Sequence, residues 1–290
     1  MYTHYLQVTN FELNSPVQLP RIWWCPTGPL AFLPIHAAGI YIQGRSVPRE
    51  CLSDFAVSSY IPTVNALLRT SDSDSVQERG DSPTQLLIVS QPNTPGQTPI
   101  PYAASEAMKI SMQLEKRQIS SITLNDERGT VECVSDAMDT ISCIHLACHG
   151  CQHNTSPLNS SIFLYDGSIK LADIMKKNLT NADFAFLSAC QTSTGDENLP
   201  EEVVHLAAGM LAAGYRSVVG TMWSIFDKHG PDLAEIFYER LPVVATNEGS
   251  KIDSTGAARA LHHATQQLRE KISDSPESLL AWVPYIHIGI

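Results

Sequence analysis

Two side chains suited to nucleophilic catalysis, His149 and Cys190, stand 41 residues apart, each at the end of a short apolar run. A thiolate is the strongest common nucleophile in proteins, and a neighbouring imidazole both helps to generate it and returns the proton to a leaving amine. Gly150 follows the histidine directly and lets backbone approach a substrate without a clashing side chain. Its N–H and that of Cys190 are candidate donors to a developing oxyanion. Residue types alone leave a plainer reading open, because a cysteine at a strand end is also a small buried hydrophobe and a histidine a satisfied polar group.

The elements that must position this pair are legible in the apolar runs. Residues 86–90 (LLIVS), 143–147 (CIHLA), 184–188 (FAFLS) and 217–222 (SVVGTM) are almost continuously apolar. Strands buried on both faces of a parallel sheet read that way. Helical patterns intervene near 104–117, 169–176 and 200–213, and two more follow at 231–241 and 255–272 before a last strand at 283–288. The third helix carries Pro200 in its first turn, Glu201 and Glu202 at its positive dipole end, and Gly214 as its stop. Residues 70–84 are polar and acidic, and we expect a solvated internal loop there; 244–256 reads as a weaker loop.

Such alternation predicts an α/β fold, a three-layer α/β/α sandwich with a mainly parallel central sheet. In that architecture chemistry lies outside the carboxyl ends of the strands, where His149 and Cys190 both fall. One crossover helix fits the gap between them, which makes their strands expected neighbours.

Bulk properties narrow the function classes. With 290 residues, 43% apolar and 17% charged, the chain can bury a full core. A formal charge of −11 argues against nucleic acid or an anionic membrane surface as partner, and leaves a cationic peptide open. The apolar stretch 203–223 holds His205, Arg216 and Ser217, and reads as helix, stop and strand rather than a membrane span. Seven cysteines, an odd number, and an opening without a secretory leader point to a reducing cytoplasm. The sequons at Asn154, Asn159 and Asn178 are then chance matches. No phosphate-binding glycine loop, dinucleotide fingerprint, nucleophile elbow or His-Glu-x-x-His run occurs, so no cofactor is expected. Cys143, His145, Cys148, His149, Cys151 and His153 crowd into eleven residues, yet no second cysteine pair follows to complete a structural zinc site, and no metal is expected.

The strings IHLACHG and FLSACQTSTG, followed by EEVVHLAAGMLAAGYRSVVGTMW, resemble the CHAT domain family, a caspase-like, separase-related branch of cysteine peptidases. The segment WWCPTGPLAFLPIHAAGIY is similar to the strand hairpin and first helix of fungal members, so the likeness runs from about Arg21 onward. The resemblance implies a single caspase-like domain over 1–290, a protein or peptide substrate, and cysteine endopeptidase chemistry by a dyad. His149 takes the place of the catalytic histidine and Cys190 that of the nucleophile. Tetratricopeptide repeats, often found before such domains, would form a regulatory region or partner upstream of this chain.

The resemblance also places the substrate pocket at Ser188 and along Trp223, Ser224 and Asp227. Relatives often carry an acid directly after the Met-Trp pair or two residues before the nucleophile; here those positions hold Ser224 and Ser188, and the next acid is Asp227. Preference for a basic residue therefore rests on Asp227, and preference for an acidic one is not expected. The competing reading from another class is a non-catalytic module of the same fold that acts as an interaction or signalling platform.

Overall fold

The structure, a computed structural model, describes residues 18–41, 50–64, 85–151, 153, 156–188, 190–191, 204–225, 227–247, 249–272 and 276–290. Its strands are β1 (Arg21–Trp24), β2 (Gly39–Ile40), β3 (Glu50–Cys51), β4 (Val57–Tyr60), β5 (Gln85–Ser90), β6 (Ser120–Asn125), β7 (Cys143–Ala147) and β8 (His149–Cys151). They continue as β9 (Ser161–Phe163), β10 (Ser168–Lys170), β11 (Phe184–Leu187), β12 (Cys190–Gln191), β13 (Ser217–Thr221), β14 (Val243–Thr246), β15 (Gly249–Ile252) and β16 (Tyr285–Gly289). The helices are α1 (Tyr102–Lys116), α2 (Val131–Thr140), α3 (Leu171–Lys176), α4 (Val204–Ala213), α5 (Gly230–Arg240), α6 (Ala257–Lys271) and α7 (Pro276–Trp282).

Eight strands make the central sheet in the order β1-β4-β16-β13-β11-β7-β5-β6. Every pairing in it is parallel except β13 with β16. Side chains alternate across it, as the pleat requires. Leu87, Val89, Ile144, Leu146, Ala185 and Leu187 enter the core under α2, α3 and α4. Leu86, Ile88, Cys143, Phe184 and Phe186 enter the core under α1, α5, α6 and α7. The expected three-layer α/β/α sandwich with a mainly parallel sheet is the observed fold.

The four central strands read from apolar runs are β5, β7, β11 and β13, and β7 and β11 are neighbours, with Phe184 opposite Cys143. The helix preceding β13 is described from Val204, so Pro200, Glu201 and Glu202 lie outside the described residues. Its stop is as expected: Gly214 has φ +124, where a Cβ would strike the Leu179 carbonyl oxygen. Residues 70–84 lie outside the described residues.

Two expectations are corrected. Residues 244–256 are not a loop: β14 and β15 form an antiparallel hairpin with Val243 opposite Ile252, closed by a hydrogen bond from Thr246 Oγ1 to the Gly249 carbonyl (3.0 Å). A short 3-10 turn over Ser254–Gly256 then leads into α6. The segment from Trp23 to Tyr41 does not form a hairpin and a helix. It gives β1, which pairs in parallel with β4, two 3-10 turns, Gly28–Phe32 and Ile35–Ala37, and the short β2, whose antiparallel partner β3 lies beyond the segment. Pro26, Pro29 and Pro34 remove the donors that a continuous helix would need.

Candidate active site

The carboxyl ends of β5, β7, β11 and β13 share one edge of the sheet, because these strands are mutually parallel. At that edge the chain leaves β7 through Cys148 and enters β8, a strand of a second, smaller sheet ordered β10-β9-β8-β12. The chain leaving β11 enters β12 in the same small sheet. There β8 and β12 pair in parallel with His149 opposite Cys190 and Gly150 opposite Gln191. The two candidate catalytic residues are thus ladder partners, with backbones about 4.8 Å apart by the usual strand spacing. Gly150 also pairs with Ile162 of β9, which holds β8 on its other side. The Cys190 side chain lies outside the described residues.

His149 is 2% exposed. Its Nε2 lies 2.7 Å from the carbonyl oxygen of Thr98. A carbonyl only accepts, so Nε2 carries the proton and donates, and in the neutral ring Nδ1 keeps a lone pair. That Nδ1 is buried and has no hydrogen-bond partner among the described residues. The imidazole is therefore held in one tautomer whose basic nitrogen has no partner among the described residues, which is the form a general base needs.

Thr98 belongs to the segment 91–101, in which prolines stand at 92, 95, 99 and 101. Fixed φ at four positions stiffens it. Gln91 ties its start down: the backbone N–H donates to the Ala147 carbonyl (2.9 Å), and Nε2 donates to the carbonyls of Asp126 (3.0 Å) and Gly129 (3.2 Å). Ile100 N–H donates to the Pro92 carbonyl (2.9 Å), closing the loop on itself. A support of this kind was invisible in the sequence, since the group that orients His149 is a main-chain carbonyl with no side-chain signature.

The remaining expected positions are spread along the same edge. Ser188 follows β11 directly and is buried. Trp223 lies two residues beyond β13, packs against both cores, and has a buried Nε1 without a partner among the described residues. Ser224 is exposed. Asp227 opens a 3-10 turn (Asp227–His229) ahead of α5, half-buried. No hydrogen bond or ion pair among the described residues joins it to His149, Ser188 or Trp223. Ser90 Oγ at the end of β5 and Gln91 Oε1 are also buried and unpartnered among the described residues. Orphan polar atoms thus gather at the carboxyl edge of the sheet, where a ligand could satisfy them.

Other reactive groups nearby are committed elsewhere. His145 lies in β7 with Nε2 3.0 Å from Glu106 Oε1 and Nδ1 3.1 Å from the Tyr238 hydroxyl, stacked 4.7 Å from Phe186. Burial holds the Tyr238 hydroxyl well above its ordinary pKa. A histidine inside an apolar strand needs such partners, and Glu106 within the apolar face of α1 was the sequence signal for them. Burial pushes the thiols of Cys143 and Cys148 up to about 12, so both stay protonated and are poor metal ligands. Among the described residues no group of three His, Cys, Asp or Glu side chains is arranged to hold a metal ion.

The fold has solved relatives. The Arg-specific cysteine proteinase gingipain R matches with a TM-score of 0.51 at 12% identity, over 88% of this chain and 58% of that one. Separase in the Saccharomyces cerevisiae separase–securin complex matches with a TM-score of 0.52 at 14% identity, over 82% of this chain and 14% of that one. The chain therefore spans a little over half of one structural neighbour and a small part of the other. No curated protein sequence matches it. A family model of the CHAT domain matches residues 2–290, and with the caspase-like sheet described above the chain belongs to the CHAT domain family.

Proposed function

We propose that the chain is a cysteine endopeptidase in which Cys190 is the nucleophile and His149 the general acid–base group. The observation that carries this reading is the pairing of His149 with Cys190 in one ladder, together with the tautomer that makes His149 Nδ1 the basic nitrogen. In this scheme Nδ1 takes the thiol proton and the thiolate attacks the scissile carbonyl carbon. The N–H groups of Gly150 and Cys190 hold the oxyanion of the tetrahedral intermediate. On collapse, the imidazolium returns its proton to the leaving amine and a thioester remains on Cys190. A water then attacks the thioester, giving its proton to Nδ1, and the acid product leaves as the thiol is restored. The Thr98 carbonyl stays bonded to Nε2–H throughout and steadies the imidazolium.

The same reading makes Ser188, Trp223, Ser224 and Asp227 the substrate-binding wall. Asp227 supports a basic residue before the scissile bond only if it turns inward, and nothing in the wall favours an acidic one. The physiological substrate would be a protein, with an upstream tetratricopeptide-repeat region as regulatory partner. We place the protein in the cytoplasm: Cys25, Cys51, Cys133, Cys143, Cys148 and Cys151 are free thiols, which suits a reducing compartment. No helix among the described residues is long and apolar enough to cross a membrane.

Turnover of a peptide library, with labelling by a cysteine-reactive peptide probe, tests the reading. Cys190→Ala and His149→Ala should each lower kcat/KM by about three orders of magnitude or more, and Cys190→Ala should abolish labelling. Cys148→Ala and Cys151→Ala should leave both largely intact. Cleavage that survives Cys190→Ala refutes the assignment, and a wild-type chain that neither labels nor cleaves favours the non-catalytic interaction module.

A further inference from the structure

The chain has 30 acidic side chains against 19 Lys and Arg, so carboxylates are available to pair its cations. Lys109, Lys176, Lys177 and Arg269 all have such partners. Arg21 and Arg259 do not: among the described residues neither meets a carboxylate, although both are only half-exposed. Partial burial of an uncompensated guanidinium is costly, and Arg259 reaches the main chain two residues before Arg21.

Arg21 stands on β1, at the edge of the central sheet, and its guanidinium is held on three sides. Nε–H donates to Ser59 Oγ (2.9 Å), Nη2 lies 3.4 Å from His287 Nδ1, and the group sits 4.4 Å over the Trp23 ring. The Ser59 hydroxyl passes the polarity on to His287 Nδ1 (3.0 Å), and His287 Nε2 reaches Ser217 Oγ (2.9 Å). Arg259 projects from α6, and its Nη1 donates to the Leu19 carbonyl (2.9 Å), two residues upstream of Arg21. The Arg259 charge adds to burial in pulling the Arg21 pKa down to about 10. His262, one turn along α6, is held below its ordinary pKa by burial, then by His263 and Arg259. Asp54, the carboxylate that reaches His262, is itself committed to Arg269 at 2.6 Å.

Of the five N–H donors on each guanidinium, Arg21 uses two and Arg259 one in these contacts. Seven donors and two positive charges remain, with no acceptor of matching charge among the described residues. Paired guanidinium forks fit a tetrahedral oxyanion, and two charges match a dianion better than a carboxylate.

We propose that Arg21 and Arg259 form a binding site for a small phosphoryl dianion at the β1–α6 edge of the sandwich. Its ligand is inorganic phosphate or the phosphate group of a small monoester. Bound there, the anion joins the edge strand to α6 and stabilises the fold.

Isothermal titration of the whole chain at pH 7.5 and constant ionic strength tests this, with inorganic phosphate in one arm and glycerol phosphate in the other. At least one should bind with one-site stoichiometry and raise the melting temperature; preference between the arms identifies the source. Arg259→Gln and Arg21→Gln should each weaken binding about tenfold or more, whereas Lys177→Gln, on the opposite helical layer, should not change it. Arg21 supports β1, so that variant is open to misfolding; Arg259→Gln leaves α6 its helix and decides the matter. Failure of both anions to bind, or binding that persists unchanged in a folded Arg259→Gln chain, overturns the proposal.

Discussion

Acidification should destabilise this fold through His36, and the size of the effect follows from its surroundings. His36 lies in the 3-10 turn Ile35–Ala37 and is 8% exposed. Nε2–H donates to the Val283 carbonyl (2.9 Å) and Nδ1 accepts from the Tyr60 hydroxyl (2.8 Å), so the neutral ring has both nitrogens satisfied. Burial pulls its pKa from 6.5 to about 4, with the Val283 carbonyl opposing weakly. Below pH 6.5 the unfolded chain takes up a proton that the folded chain refuses, so stability falls as pH drops toward about 4 and levels off below it. Lowering the pKa from 6.5 to about 4 corresponds to about 3 kcal/mol in all, of which about 2 kcal/mol is lost between pH 7.5 and pH 5.

Urea unfolding followed by tryptophan fluorescence at those two pH values measures the loss. Trp282, 6.5 Å from the His36 ring, reports on the site. His287 is also buried and held well below its ordinary value, and it adds to the wild-type loss in the same direction. The His36 share is therefore read as the difference between wild type and His36→Gln, which keeps a donor toward Val283 but cannot titrate. The variant should lose about 2 kcal/mol less than wild type over this interval. An equal loss in both, or a His36 proton resonance that titrates near 6.5, refutes the reasoning.

Other expectations are local. Gly214→Ala should cost at least about 2 kcal/mol, because φ +124 and the Leu179 carbonyl leave no room for a Cβ; a lower urea midpoint at unchanged slope would show it. Gln91→Ala removes two hydrogen bonds, to the carbonyls of Asp126 and Gly129, which keep the N–H groups of Gly129 and Tyr165 as donors, and it loosens the loop that carries Thr98. It should cost about 1–3 kcal/mol and, if the chain is a peptidase, lower kcat more than it raises KM. Thr130→Ala removes the side-chain cap on Cys133 N–H at the start of α2 and should cost about 1 kcal/mol without affecting turnover. Under native conditions at pH 8, iodoacetamide should modify the exposed Cys133 and spare Cys143 and Cys148, as mass spectrometry would read.

The central strands were legible because β5, β7, β11 and β13 are buried on both faces, and such strands must be apolar at almost every position. Their parallel order places His149 and Cys190 at one edge from the sequence alone, and ligands in open α/β sheets gather beyond the carboxyl ends. Helices α1, α5 and α6 were legible from their periodic apolar faces.

Elements with weaker local signals depended on the tertiary structure. β6 (SSITLN) and α2 (VECVSDAMDT) are half polar because each covers only one side of the core. β1 and β4 extend the sheet beyond antiparallel β16, though VSSY has no apolar run to announce a strand. The small sheet that brings His149 opposite Cys190 is built from strands of two or three residues, whose pairing is decided by partners far along the chain. The sequence alone singled out the residues proposed for the chemistry and the sheet edge they reach. Only the folded chain decided the His149 tautomer, through the carbonyl of Thr98, and the bond from Arg259 to the main chain beside Arg21. Backbone groups and contacts across more than 200 positions leave no periodic trace in a sequence, because they are selected by packing geometry rather than by local propensity.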